Sequence, residues 1–390
     1  MTDFDEIIER RNTHSAKWDV MEALYGVSPD DGISMWVADM DFKPPQAVSD
    51  ALQNMVDHGV YGYYGQDGSY RNAICGWMAR HHNWQVDPAW IFTTHGLVNG
   101  TALCVQTYTN EGDGVILFTP VYHAFARVIS ANNRQIVESE LVEKDGRYEM
   151  DLPALAAQLT GDEKMVVLCS PHNPGGRVWS RAELRELADF CVVHDLILLS
   201  DEIHHDLVFT GTKHTVISLA APDIIERLLV LTAPSKTFNI AGGHTGNVII
   251  QDPELRAKFA KTMGANGMSG NSFGLAMTEA AYTHGDDWLV DLRDYLAENM
   301  RIFDAGINAI PGLKSMRLEA TYLAWVDFSG TGMDVREYTD RIEKQARIAA
   351  NYGPTFGSGG AGYLRFNLGT RRALVVEAVA RITAAFSDLQ

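Results

Sequence analysis

KMVVLCSPHNPGGRVWSRAELRELADFCVVHDLILLSDEIHH, residues 164–205, decides the fold class. It opens and closes on short runs that are apolar on both faces, KMVVLC and LILLS. Runs of that length suit strands inside a covered sheet. Between them, SRAELRELADFCVVHD has helical periodicity. Ser180 and Glu183 form a capping-box pattern, and Leu184, Leu187 and Cys191 share one face. Strand, helix, strand within about 40 residues predicts a parallel crossover unit.

The pattern repeats on both sides. WIFTT (90–94), GVILFTP (114–120), RQIVESEL (134–141), LLVLTAPS (228–235) and GNVIIQD (246–252) read as further buried strands. The expected fold class is α/β, a large domain at 46–285 with a mostly parallel central sheet. Beyond 285, DWLVDLRDYLAENMRIFDAGINAI (287–310) reads as one amphipathic helix, and TYLAWVDF (321–328) and GYLRFNLG (362–369) as strands. These belong to a smaller α+β unit, 286–390, joined by residues 1–45. Pro44-Pro45 suits the start of a following helix.

Composition narrows the partners. The net charge of −18 opposes binding to nucleic acid or an anionic membrane. The four cysteines, at 75, 104, 169 and 191, show no close pairing and read as small apolar residues in a reducing compartment. The start, MTDFDEIIER, has no apolar leader region, and no apolar run reaches the length of a membrane span. A cytoplasmic protein acting on a small molecule is expected.

In open α/β sheets ligands bind beyond the carboxyl ends of the strands. Five polar clusters stand there: THG (94–96), Pro120-Val121-Tyr122, SPHNPGG (170–176), SDEIHH (200–205) and PSKTFN (234–239). Asp201 at a strand end needs a cationic partner, since burying a lone carboxylate is expensive. Lys236, if buried, would have its pKa lowered toward neutrality, and the neutral amine is the nucleophile that forms Schiff bases. The backbone N–H groups of Gly96, Leu97 and Val98 open a helix and suit a phosphate, to which Ser235 and Thr232 could add hydroxyls. Asn173 could donate to a ring oxygen and Tyr122 could stack on a ring. Each residue alone has a plainer reading: a cap, a surface lysine, an Asn-Pro turn, a packed tyrosine.

Asn173, Asp201 and Lys236 stand 28 and 35 residues apart, one αβ unit each. With WVADMDF, VYGYYG, SPHNPGGRVW, SDEIH and APSKTFN, the chain resembles the fold-type I enzymes that depend on pyridoxal 5′-phosphate (PLP), the aspartate aminotransferase superfamily. It looks most like the cystathionine β-lyase-like C–S lyase branch, often grouped with class I/II aminotransferases. The resemblance implies a PLP Schiff base on Lys236, which also serves as base at Cα. It implies Asp201 at the ring nitrogen, Asn173 and His204 at the ring oxygen, and Tyr122 stacked on the ring. Gly96, Leu97, Val98 and Ser235 would hold the phosphate. Tyr63 would reach the phosphate of a neighbouring subunit, so a homodimer with shared active sites is implied. Arg365 would clamp the substrate carboxylate beside the Ala38 backbone, a task its planar fork suits.

Two positions depart from the common aminotransferase pattern. His204 stands where many members have tyrosine, and His244 where many have a phosphate-binding arginine. The implied reaction is β-cleavage of L-cystathionine or cysteine S-conjugates to pyruvate, ammonia and a thiol. Transamination needs the same residues and is the alternative. A regulatory, protein-binding role on the same fold is a second one.

Three further patterns have plainer readings. Gly357, Gly359 and Gly362 match a dinucleotide fingerprint but lack its βαβ setting, and read as a flexible loop before Arg365. His204, His205 and Asp206 are not expected to bind metal, because neighbours on a strand point to opposite faces. His81-His82 reads as helix surface.

Overall fold

Alternation along the strands builds two apolar layers from one sheet. The computed structural model describes residues 2–389. Its central sheet has seven strands: β1 (Ile91–Thr94), β2 (Gly114–Thr119), β3 (Gln135–Glu140), β4 (Glu163–Cys169), β5 (Ile197–Asp201), β6 (Leu228–Thr232) and β7 (Gly246–Ile249). Val115, Leu117, Met165 and Val167 join one buried cluster, and Ile116, Phe118, Val166 and Leu168 join another. Successive side chains leave opposite faces, so an uninterrupted apolar run is what two covered faces require.

The strand order is β1-β7-β6-β5-β4-β2-β3. The block from β6 to β3 is parallel. β7 is antiparallel to both its neighbours, so β1 runs with the parallel block. Every strand except β7 therefore ends on the same edge, which gathers the five polar clusters.

The expectation of full burial fails for RQIVESEL. β3 is an edge strand and exposes Gln135, Glu138 and Glu140. Charged residues at alternate positions suit an edge, where they discourage further pairing.

The helix Arg181–Val193 carries the expected capping box at Ser180 and Glu183. A second sheet, antiparallel throughout, contains β8 (Lys314–Ser315), β9 (Leu323–Asp327), β10 (Asn351–Tyr352) and β11 (Tyr363–Asn367), in the order β8-β9-β11-β10. Residues 33–34 pair in parallel with 348–349. The helix Asp286–Asn308 spans both cores. Trp288, Leu289 and Leu292 pack with the large sheet, and Phe303 and Ile307 pack with the second. Among the described residues no helix is long and apolar enough to cross a membrane.

Candidate active site

A cavity of about 260 Å³ opens at the carboxyl edge of the large sheet. Its walls include Ala38, Gly96, Leu97, Val98, Tyr122 and Asn173, and also Asp201, His204, Ser235, Lys236 and His244. Ten of the twelve site residues expected from the sequence thus meet in one place. Arg365 adjoins them, bonded through Nη1 to Asn173 Oδ1 at 2.9 Å. Tyr63 does not: it lies fully exposed in the segment 59–65. Thr232, the further hydroxyl expected at the phosphate, is wholly buried at the end of β6 and its Oγ1 has no partner among the described residues.

Local structure explains each placement. Lys236 sits in the single turn Pro234–Thr237, which begins where β6 ends, and Pro234 at the first helical position suits that start. The Lys236 ammonium donates to the Ala38 carbonyl at 2.5 Å. Burial pushes its pKa down to about 8, opposed by Asp39 and Asp201 and reinforced by Arg365. Asp201 ends β5 and accepts a bond from the Ile203 backbone N–H at 3.0 Å. No ion pair reaches its carboxylate among the described residues, and burial raises its pKa to about 7. Burial also holds His204 neutral, well below the ordinary histidine range, and its Nδ1 is left without a partner among the described residues.

Gly96 caps the helix Leu97–Tyr108 with φ of +81°, a left-handed conformation that favours glycine. No atom lies within 4 Å of where a Cβ would stand. The Gly96 N–H donates to the Thr94 carbonyl at 2.9 Å, and the helix N-terminus presents the Leu97 and Val98 N–H groups to the cavity, as an anion site requires. Arg365, on β11, is buried, and its Nη2 donates to the Trp36 carbonyl at 2.9 Å and also to Asn351 Oδ1. Burial pulls its pKa down to about 10.

Some groups around the cavity were not singled out in the sequence. Asn239 binds residues 40–42 through Met40 and Phe42, and Asn367 binds the Val37 and Asp39 carbonyls. The segment that presents Ala38 is thus tied to the chain beyond Lys236 and to the strand of Arg365. Both asparagines lie inside quoted motifs, so proximity to Lys236 and Arg365 was an available signal. Tyr322, whose hydroxyl donates to Ala38 O at 2.9 Å, gave no signal beyond its strand.

Two expectations about histidine need correction. His82 is buried rather than on a helix surface. Residues 203–206 form a turn, so the strand argument against a metal does not apply. His82, His205 and Asp206 bring ligand atoms within 4.8 Å of one another. The Asp206 carboxylate is already taken by Trp77, His82 and Thr237, which places it and His82 in a hydrogen-bonded core network.

The family model for aminotransferase class I and II matches residues 30–382. The chain belongs to that family. It is 40% identical to cystathionine beta-lyase PatB of Bacillus subtilis, over 98% of this chain and 100% of that protein. It is 31% identical to protein MalY of Escherichia coli, over 99% of each. The crystal structure of cystalysin from Treponema denticola, which contains a pyridoxal 5′-phosphate cofactor, superposes with a TM-score of 0.95 at 36% identity and covers 100% of both chains.

Proposed function

We propose that the protein is a PLP-dependent C–S β-lyase that cleaves L-cystathionine or cysteine S-conjugates to pyruvate, ammonia and a thiol. The observation that carries the cofactor is the pairing of Asp201 with Lys236 in one cavity. Asp201 is a buried carboxylate without an ion pair among the described residues, and a protonated pyridine nitrogen would satisfy it. The N–H groups of Leu97 and Val98, in the turn opened by Gly96, fit a phosphate, and Asn173 and His204 fit the ring oxygen. Bound there, PLP supplies an electron sink for the pair left at Cα.

The chain's own residues do the rest. Arg365 binds the substrate carboxylate with its planar fork. The Lys236 amine, with its pKa depressed, takes the Cα proton near neutral pH. Asp201 holds the proton on the ring nitrogen. The Cβ–S bond then breaks, the thiolate leaves, and water completes the conversion to pyruvate and ammonia.

Sulfur rather than nitrogen chemistry is supported by the 40% identity with a cystathionine beta-lyase along the whole chain. The wider proposal comprises a large domain at 46–285, a smaller unit from 1–45 and 286–390, and a cytoplasmic homodimer in which Tyr63 crosses to the neighbour's phosphate.

The test supplies purified protein and PLP with L-cystathionine and measures pyruvate and free thiol. Equal yields of the two are expected. A keto acid that keeps its side chain, formed only when a second keto acid is added and without free thiol, would show transamination instead.

A further inference from the structure

One carbonyl receives two donors at the centre of the site. Ala38 O accepts from Lys236 Nζ at 2.5 Å and from the Tyr322 hydroxyl at 2.9 Å. Tyr322 is buried, with its ring 6.1 Å from that of His204. Its backbone entry is strained. Thr321 has φ of +73° and is the one β-branched residue in the left-handed region among the described residues. Such a conformation costs energy and persists only where its surroundings impose it. Here the Thr321 N–H donates to Leu207 O at 2.7 Å, and its Oγ1 accepts from the Leu323 N–H at 3.1 Å. Ala320, one residue earlier, bridges to Val208 in the chain that follows Asp201. The strain therefore fixes the residue that delivers a hydroxyl to Ala38.

We propose that Tyr322 is a positioning residue that sets the proton affinity of Lys236 through the carbonyl they share. It rests on the reading of Lys236 as the reactive amine. A carbonyl oxygen that already accepts one bond is a poorer acceptor for a second. The bond to Ala38 favours the charged lysine, so a competing phenol weakens that preference and releases the neutral amine at lower pH. The phenol itself stays protonated, because burial pushes its pKa above the ordinary tyrosine value. Other ionisable groups face Lys236 from each neighbouring element: Asp39, Asp201, His204, His244, Arg365 and Tyr122. None of them shares its acceptor.

The experiment pairs two changes of opposite sign. Tyr322→Phe removes the donor and keeps the ring. Replacing Tyr322 with 3-fluorotyrosine makes the hydroxyl more acidic and a stronger donor. Trace acetylation of the full chain prepared without PLP, followed peptide by peptide against pH, reads the Lys236 midpoint directly. The acid limb of turnover in the PLP-loaded enzyme reads the same group at work. Tyr322→Phe is expected to move both midpoints up by about half a pH unit, a roughly threefold loss of neutral amine near pH 7. Fluorotyrosine is expected to move both down. Unchanged midpoints, or shifts of the same sign in both proteins, overturn the proposal. If Tyr322→Phe does not melt cooperatively, the fluorotyrosine protein decides alone: a downward shift supports the proposal, and no shift or an upward one overturns it. Failure of the underlying reading looks different. Lys236 of the unaltered protein would then acetylate with the midpoint of an ordinary surface lysine.

Discussion

Asp201 and Asp206 are five residues apart and both are buried, yet the protein treats them in opposite ways. Asp206 is surrounded by donors: Trp77 Nε1 at 3.0 Å, His82 Nε2 at 2.7 Å and Thr237 Oγ1 at 2.7 Å. Burial opposes its ionisation, but His205 and His82 outweigh that and hold it well below the ordinary carboxylate range. Asp201 has one backbone donor, and burial prevails. A finished network is what a core needs. An unfinished one marks the place where something from outside the chain completes the set. The same contrast separates the hydrogen-bonded histidine His82 from His204, whose Nδ1 is buried and unpartnered.

The largest effect that would test this contrast lies at Lys236. Lys236→Ala should lower pyruvate release from cystathionine by at least about a thousandfold, while the urea midpoint moves little. A variant that kept a tenth of the activity would break the division between chemistry and scaffold. Asp206→Asn should do the reverse, costing about 3–5 kcal/mol of stability by leaving buried partners uncompensated. Urea denaturation measures it, and turnover per folded molecule should survive.

The two aspartates also predict opposite pH dependence in protein free of PLP. Asp201 has its folded pKa raised to about 7, so between about pH 4 and 7 the folded state holds a proton that the unfolded chain has lost. Its contribution to stability is full at the acid end and declines as pH rises through that window. Asp206, with a depressed folded pKa, contributes stability above the unfolded value that is lost as pH falls. Asp201→Asn should therefore flatten the stability profile between about pH 4 and 7 and leave the acid-side loss in place. A profile unchanged by Asp201→Asn would show that the carboxylate is already satisfied.

The sheet was readable because doubly buried strands must be apolar at every position, and such runs are visible without any structure. RQIVESEL was misread because a run of eight with two glutamates does not say whether it sits inside or at an edge; neighbours decide that. The site was readable where a residue stands at a strand's carboxyl end or within four residues of it, as Asp201, Lys236 and Asn173 do. Arg365 rested on the family resemblance, since nothing local separates it from a surface arginine on a strand. The asparagines that tie residues 37–42, the burial of His82, and the approach of Tyr322 to Ala38 all depend on contacts across about 120 residues or more, which no local pattern encodes. The 203–206 turn defeated the strand argument about His205 for a related reason: β5 stops at Asp201, before it reaches any of the three residues, 204–206, that the alternation argument placed on a strand.

A smaller effect is expected at Arg365. Arg365→Lys keeps the charge but loses the planar fork that bonds Asn173 and the Trp36 carbonyl. It should lower kcat/KM for cystathionine by about 10- to 100-fold, an effect of about 1.5–3 kcal/mol, mostly through KM. A change confined to kcat would mean that Arg365 does not bind the ground-state carboxylate. Asp206 has no such dependence on partner shape, so conservative changes around it should leave KM alone.

The smallest effect concerns stored strain, which belongs to the site side of the contrast. Thr321 is left-handed with φ of +73°, and Ala73 lies inside the helix Gly68–His82 that carries His82. At a helical position glycine is less stable than alanine by about 1 kcal/mol. At a left-handed position the order inverts, because the penalty there comes from the Cβ. Thr321→Ala and Thr321→Gly both lose the hydroxyl that accepts from Leu323, so their difference isolates the backbone. Thr321→Gly should therefore be the more stable of the two by about 1 kcal/mol, while Ala73→Gly should lose about the same amount relative to the unaltered protein. Urea midpoints at constant slope measure both. If alanine proved the better residue at 321, the turn before Tyr322 would be unstrained, and the hydroxyl at Ala38 would be placed by packing alone.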